Sequence, residues 1–310
     1  MKPAGSIVFF TTASGAGYGM LFWLGVLHAA GALPGAAWYG VTALAIGLVL
    51  VTAGLLSSVA HLGNPQRAWR ALSQWRSSWL SREGVAAVLV YVPAVGLGAV
   101  WLMGGAVSAG VGLVMAGLAA GTVYCTAMIY ASLKPVRQWR DGYVVPFYLL
   151  AAVFSGAVCL AAVTGFASTA AAGVLGWIGI VSGLAAGAMK IAYWQRIDSA
   201  TGASTVASAT GLGHLGVVRS FEAPHSEENY LLKEMGFRIA RKHAGRLRVY
   251  AVMIGFAVPV AVLVGVVLGV VPVVGLILVA ACAVVGMAVE RWLFFAEATH
   301  TVVLYYGRAA

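Results

Sequence analysis

Residues 38–60 read WYGVTALAIGLVLVTAGLLSSVA and are closed by His61. The stretch holds no Lys, Arg, Asp or Glu, and it opens on an aromatic pair, Trp38 and Tyr39. A helix crossing the hydrocarbon core of a bilayer needs about 20 mostly apolar residues. In lipid every backbone N–H and C=O has to be bonded within the segment, which a helix achieves. The run therefore reads as a membrane-spanning helix with its aromatic pair at the headgroup level. Outward from it, comparable runs fall at 16–33, 83–103, 107–131, 144–166, 173–193, 248–271 and 272–294. Only Val270, Val271 and Pro272 separate the last two, and Pro272 cannot continue a helical ladder without a kink, so a tight hairpin is expected there. The expected fold is an all-α integral membrane protein, an eight-transmembrane-helix bundle forming a single membrane domain over 1–310.

Composition agrees. The chain is 61% hydrophobic and 9% charged, with a mean hydropathy of +0.92, whereas soluble domains carry about 25% charged residues. The formal net charge is +10; in so apolar a chain basic residues set topology and meet lipid rather than nucleic acid. Cys125, Cys159 and Cys282 are far apart inside apolar runs, with no C-x-x-C pair, so no metal site and no iron–sulfur cluster is expected in this chain. No P-loop, H-E-x-x-H or nucleophile elbow occurs. Gly15, Gly17 and Gly19 lie in apolar sequence without a preceding strand, where small residues let helices approach closely. The first apolar segment carries no cleavage signature and is expected to be retained as a helix.

The connections near 34–37, 104–106, 167–172 and 270–272 hold no charged residue. Those at 61–82, 132–143 and 194–247, with the termini and adjoining helix ends, hold all of them. An even number of spans puts these on one face. The positive-inside rule makes that face cytoplasmic, in a bacterial inner membrane; a docking surface for a soluble partner would gather charge there as well.

His61 closes the second span and Glu83 opens the third, at the depth where hydrocarbon gives way to headgroups. A lipid-soluble quinol presents its polar ring at that depth, and its oxidation releases two protons. A neutral imidazole accepts protons near neutral pH. A carboxylate near a helix start is stabilised by the helix dipole and can relay protons or orient the imidazole. Ser81 is placed to cap the third helix. The plainer alternatives stand beside this: an interfacial histidine ending a helix, and a glutamate paired with a helix dipole. Pro65 to Gln74 reads as a short amphipathic surface helix, with Arg67, Arg70, Arg76 and Arg82 as headgroup or partner contacts.

A b-type haem needs two histidines at matching depth. His28 lies alone near the uncharged end, and His61 and His300 lie at the charged end, so the chain reads as haem-free. Without its own redox centre it needs a partner to carry electrons. The loop 194–247 reads as that partner's seat, through Arg219, Pro224, His225, Lys233, Arg238 and Arg241, with a short helix near 226–243. A rival class, a secondary transporter of a small solute, needs broken helices with ionisable groups near the midplane; a structural anchor with a dead quinol site is a third.

Four motifs then carry a resemblance: HLGNPQRAWRALSQWRSSWLSRE (61–83), MIYASLKPVRQW (128–139), PHSEENYLLKEMGFRIARKHAGRLR (224–248) and ERWLFFAEATH (290–300). Together they resemble the signature of the membrane anchor subunit of dimethyl sulfoxide reductase, in the family's order; the N-terminal segment matches loosely. The resemblance implies a haem-free anchor that oxidises menaquinol or ubiquinol in anaerobic respiration. It implies a four-cluster ferredoxin-like iron–sulfur subunit and a molybdopterin catalytic subunit as partners. It also implies that His61 and Glu83 form the quinol site, with Arg67 and Arg82 at basic motif positions. Anchors of this type also serve related molybdoenzymes with other substrates.

Overall fold

The computed structural model describes residues 3–60, 64–106, 108–199, 204–219, 221–222 and 239–306. Its helices are α1 (Gly5–Ala29), α2 (Ala37–Ala60), α3 (Trp79–Leu102), α4 (Ala109–Ala131), α5 (Val144–Thr164), α6 (Thr169–Ser199), a short α7 (Val206–Thr210), α8 (Ile239–Val252), α9 (Val258–Val267) and α10 (Gly275–Ala296). A 3₁₀ stretch, Pro65–Gln74, lies between α2 and α3. Among the described residues there is no strand, only an isolated bridge between Val136 and His300. Eight segments are long and apolar enough to cross a membrane; the seventh, His243–Val267, joins α8 to α9.

Helix α1 forms the axis of the bundle, packed by α2, α4, α5 and α10. Helix α3 lies against α2 and α4, and α6 against α5 and α9. The α1–α5 crossing is a backbone contact: a Cβ on Gly19 would collide with the Ala152 carbonyl, and one on Gly156 with the Gly19 backbone. Apolar side chains gain little by leaving lipid for a protein core, so membrane helices associate through such close, small-residue packing. Gly17 does the same against Gly47, whereas Gly15 has open space beside it.

Pro259 lacks the N–H that would continue the ladder, and the chain answers with a π-turn, Met253–Ala257, just before it. The turn presents Gly255 to Gly286 of α10, again backbone to backbone. The hairpin between α9 and α10 forms where Pro272 is, with Leu268 to Val274 outside both helices.

Several span limits need correction. Helix α1 starts at Gly5, not near residue 16, and ends at Ala29. Ser and Thr lowered the apparent hydropathy of 5–15, but Thr11 donates to the Ile7 carbonyl (2.9 Å) and Ser14 to that of Phe10 (2.6 Å). Hydroxyls bonded back onto their own helix in this way are tolerated in lipid, and both side chains are buried. Helix α3 begins at Trp79 instead of 83, and α6 runs to Ser199 instead of 193. The expected helix near 226–243 lies largely outside the described residues, which resume within α8.

Candidate functional site

Helix α3 is capped by Ser78, whose hydroxyl accepts from the Ser81 amide at 3.4 Å. This corrects the assignment of the cap to Ser81, which sits inside the first turn with its own hydroxyl buried. The earlier start carries Glu83 one turn into the helix, beyond the reach of the dipole, which fades within the first turn. Its stabilising partner is therefore a side chain: Glu83 is 4% exposed, and its Oε1 accepts a hydrogen bond from the Thr126 hydroxyl of α4. An isolated buried carboxylate is costly and is expected to be bonded.

The other expected site residues are placed as follows. His61 lies outside the described residues. Arg67 is exposed on the 3₁₀ stretch, and that stretch also leaves Trp69 exposed. Arg82 is held away from Glu83: its Nε donates to the Trp75 carbonyl (3.0 Å), its Nη2 to that of Arg76 (2.7 Å), and its guanidinium lies 4.3 Å from the Trp79 ring centre. It fastens the 75–79 corner onto α3. Of the docking residues, Arg219 is exposed; Pro224, His225, Lys233 and Arg238 are outside the described residues, and Arg241 is described only as α8 backbone.

Behind Thr126 opens a chamber between α1, α4, α5 and α10 of about 20 Å³, room for a water molecule. Thr12, Tyr18, Thr126, Tyr148, Ser155 and Arg291 supply its polar wall. Beside it, between α1, α4 and α5, lies a second space of about 30 Å³ lined by apolar side chains such as Phe22, Val123 and Leu149.

The far wall leads to charge that the sequence reading assigned only to helix ends. Lys190 of α6 pairs with Glu290 Oε1, and Arg291 Nε lies 3.2 Å from Glu290 Oε2. All three are at most 2% exposed. Aromatic rings close around them: the Lys190 ammonium is 4.2 Å from the Tyr193 ring centre, and the Arg291 guanidinium 3.7 Å from that of Tyr148. Ionisable groups inside apolar runs are a signal for function by default, and that signal was present at Lys190, Glu290 and Arg291. Thr126 carried no comparable mark.

At the charged end, Arg196 holds Asp141 (2.8 Å), and Arg248 Nε holds Glu297 (2.8 Å) and also binds Asp198. Burial pushes the Glu297 carboxyl up from the ordinary range despite Arg248. These links fix the ends of α5, α6, α8 and α10 as one charged surface. His300 accepts from the Val302 amide through Nδ1 (3.0 Å). At the opposite end His28 meets Trp101 edge-on, 5.6 Å between ring centres. Among the described residues no cluster of His, Cys, Asp and Glu is arranged to hold a metal ion.

The chain is 32% identical to a membrane-complex relative from Allochromatium vinosum, the C subunit of sulfite dehydrogenase, over an alignment of 333 positions that covers the whole of both chains. Residues 2–307 match the family model described as DMSO reductase anchor subunit (DmsC). Eight apolar spans, a charged docking end and a match along nearly its full length lead to one assignment: the chain belongs to the DMSO reductase anchor subunit family, the multi-pass membrane anchors of oxidoreductase complexes.

Proposed function

We propose that the chain exchanges electrons between the membrane quinone pool and a molybdoenzyme, with quinol oxidised beside Glu83. The observation that carries this reading is a carboxylate buried in a membrane bundle, at the charged end, bonded to a threonine that opens onto an internal chamber. A quinol losing two electrons also loses two protons. Glu83 is the buried group able to accept one, with His61 beside the same helix ends as the outlet. The electrons pass to the nearest cluster of an iron–sulfur subunit, here taken as four-cluster and ferredoxin-like, seated on the charged surface. A molybdopterin subunit beyond it meets the terminal substrate. Menaquinol and ubiquinol both suit the chemistry, and no haem is required of this chain.

One observation favours a second reading. The relative from Allochromatium vinosum is named a sulfite dehydrogenase subunit, and a dehydrogenase sends electrons the other way. Sulfite would then be oxidised at the molybdenum subunit, and quinone would take up two electrons and two protons at the same Glu83.

Membranes holding the complete complex test both. His61→Ala and Glu83→Gln are expected to lower quinone-linked turnover about a hundredfold, the scale of losing a positioned acid–base group, while the soluble subunits stay bound. Wild-type turnover in Glu83→Gln would overturn the site. Turnover with sulfite and quinone, against turnover with quinol and dimethyl sulfoxide, sets the direction.

A further inference from the structure

The polar chamber and the apolar slot share three lining residues, Tyr18, Val123 and Ala152, so they adjoin. The chamber presents hydrogen-bonding groups from two sides. On α4 stands Thr126, bonded to Glu83. Opposite stand Tyr148 and Arg291, and Arg291 Nη1, Tyr18 Oη and Thr12 Oγ1 are buried without a hydrogen bond among the described residues. A buried donor left unbonded costs about 1–3 kcal/mol, which marks places where a bound group or water completes the site. The Lys190–Glu290–Arg291 cluster sets two cations against one carboxylate, so an excess positive charge stands behind Arg291.

The slot has a different character. Its outer lining, Phe22, Ala120, Leu149 and Val153, is half-buried on the apolar surface of the bundle, facing the acyl chains. Trp23 Nε1 donates to the Val153 carbonyl (2.9 Å) and fixes that edge.

Building on the quinone reading above, we propose that chamber and slot together form the quinone-binding site. The ring sits in the chamber with one oxygen toward Thr126 and Glu83 and the other toward Arg291, and the isoprenoid tail leaves between α4 and α5 through the slot. A chamber of about 20 Å³ admits a water but not a ring. Entry therefore requires a wall to move, and Met287 of α10, unbranched and easily repacked, forms that wall. Arg291 and Tyr18 are thus binding residues for the ring, and Ala120 selects for the tail.

The test is steady-state turnover of the complete complex in membranes with two substrates, a naphthoquinol with a long isoprenoid tail and a tail-less naphthoquinol. Ala120→Phe fills the slot and is expected to raise KM for the long-tailed quinol about tenfold and for the tail-less one less than twofold. Tyr18→Phe, and Arg291→Lys where it folds, are expected to raise KM about tenfold for both. If Glu83→Gln abolishes turnover while Ala120→Phe and Tyr18→Phe keep wild-type KM values, the ring-and-tail assignment is wrong and the quinone reading stands. If Glu83→Gln itself turns over normally, the quinone reading falls and takes this assignment with it.

Discussion

The Thr126 hydroxyl of α4 donates to the Glu83 carboxylate of α3, joining a buried acid to a residue that lines the internal chamber. A hydrogen bond to a charged group contributes roughly 1.5–3 kcal/mol. Thr126→Val, which keeps the shape and removes the hydroxyl, is expected to lower quinone-linked turnover tenfold or more. Thr126→Ser restores the donor and is expected to stay within a few-fold of wild type. Equal activity of the Val and Ser variants would show that the bond has no part in turnover.

The buried charge cluster predicts an asymmetry. Removing Lys190 leaves Glu290 and Arg291 as a balanced pair, whereas removing the Glu290 charge leaves two buried cations facing each other. Breaking a buried pair so that charge is left uncompensated costs about 3–5 kcal/mol. Glu290→Gln should therefore lower thermal stability in detergent far more than Lys190→Met, which forfeits mainly contacts with rings such as Tyr193. Similar losses for the two variants would contradict the pairing.

At the α1–α5 crossing, Gly156→Ala places a methyl against the Gly19 backbone. Overpacking costs about 1–3 kcal/mol when neighbours can shift, and backbone atoms shift least. A marked loss of folded protein on size-exclusion chromatography is expected. Gly117→Ala on α4 meets nothing within 4 Å and should be neutral or stabilising by up to about 1 kcal/mol.

Arg82 acts on the corner before α3. Its guanidinium bonds two carbonyls and stacks on Trp79, a fork geometry that lysine cannot copy. Arg82→Lys and Arg82→Ala are both expected to speed proteolysis within 65–78 several-fold while thermal stability of the bundle changes little. Unchanged cleavage would remove this role.

The eight-span plan was legible because apolar runs of span length with uncharged connections leave no other way to satisfy the backbone in lipid. The first span was misplaced because Thr11 and Ser14 look polar in the sequence, yet their hydroxyls bond to their own helix. Glu83 stood out by type and position, but its partner did not. Thr126 lies far along the chain, and only the register of α3 against α4 brings the two together. In the same way Lys190 and Glu290 read as separate helix-end charges until α6 and α10 place them in contact. The choice of Ser78 over Ser81 as the cap turned on a one-turn shift in where α3 begins.

The central claim is that Glu83 takes or gives a proton as quinone changes redox state. Redox-induced infrared difference spectra of the complete complex measure this directly. A protonated-carboxyl band that appears with quinol oxidation, reverses with quinone reduction and vanishes in Glu83→Gln is the predicted result. Spectra identical in wild type and Glu83→Gln would contradict it.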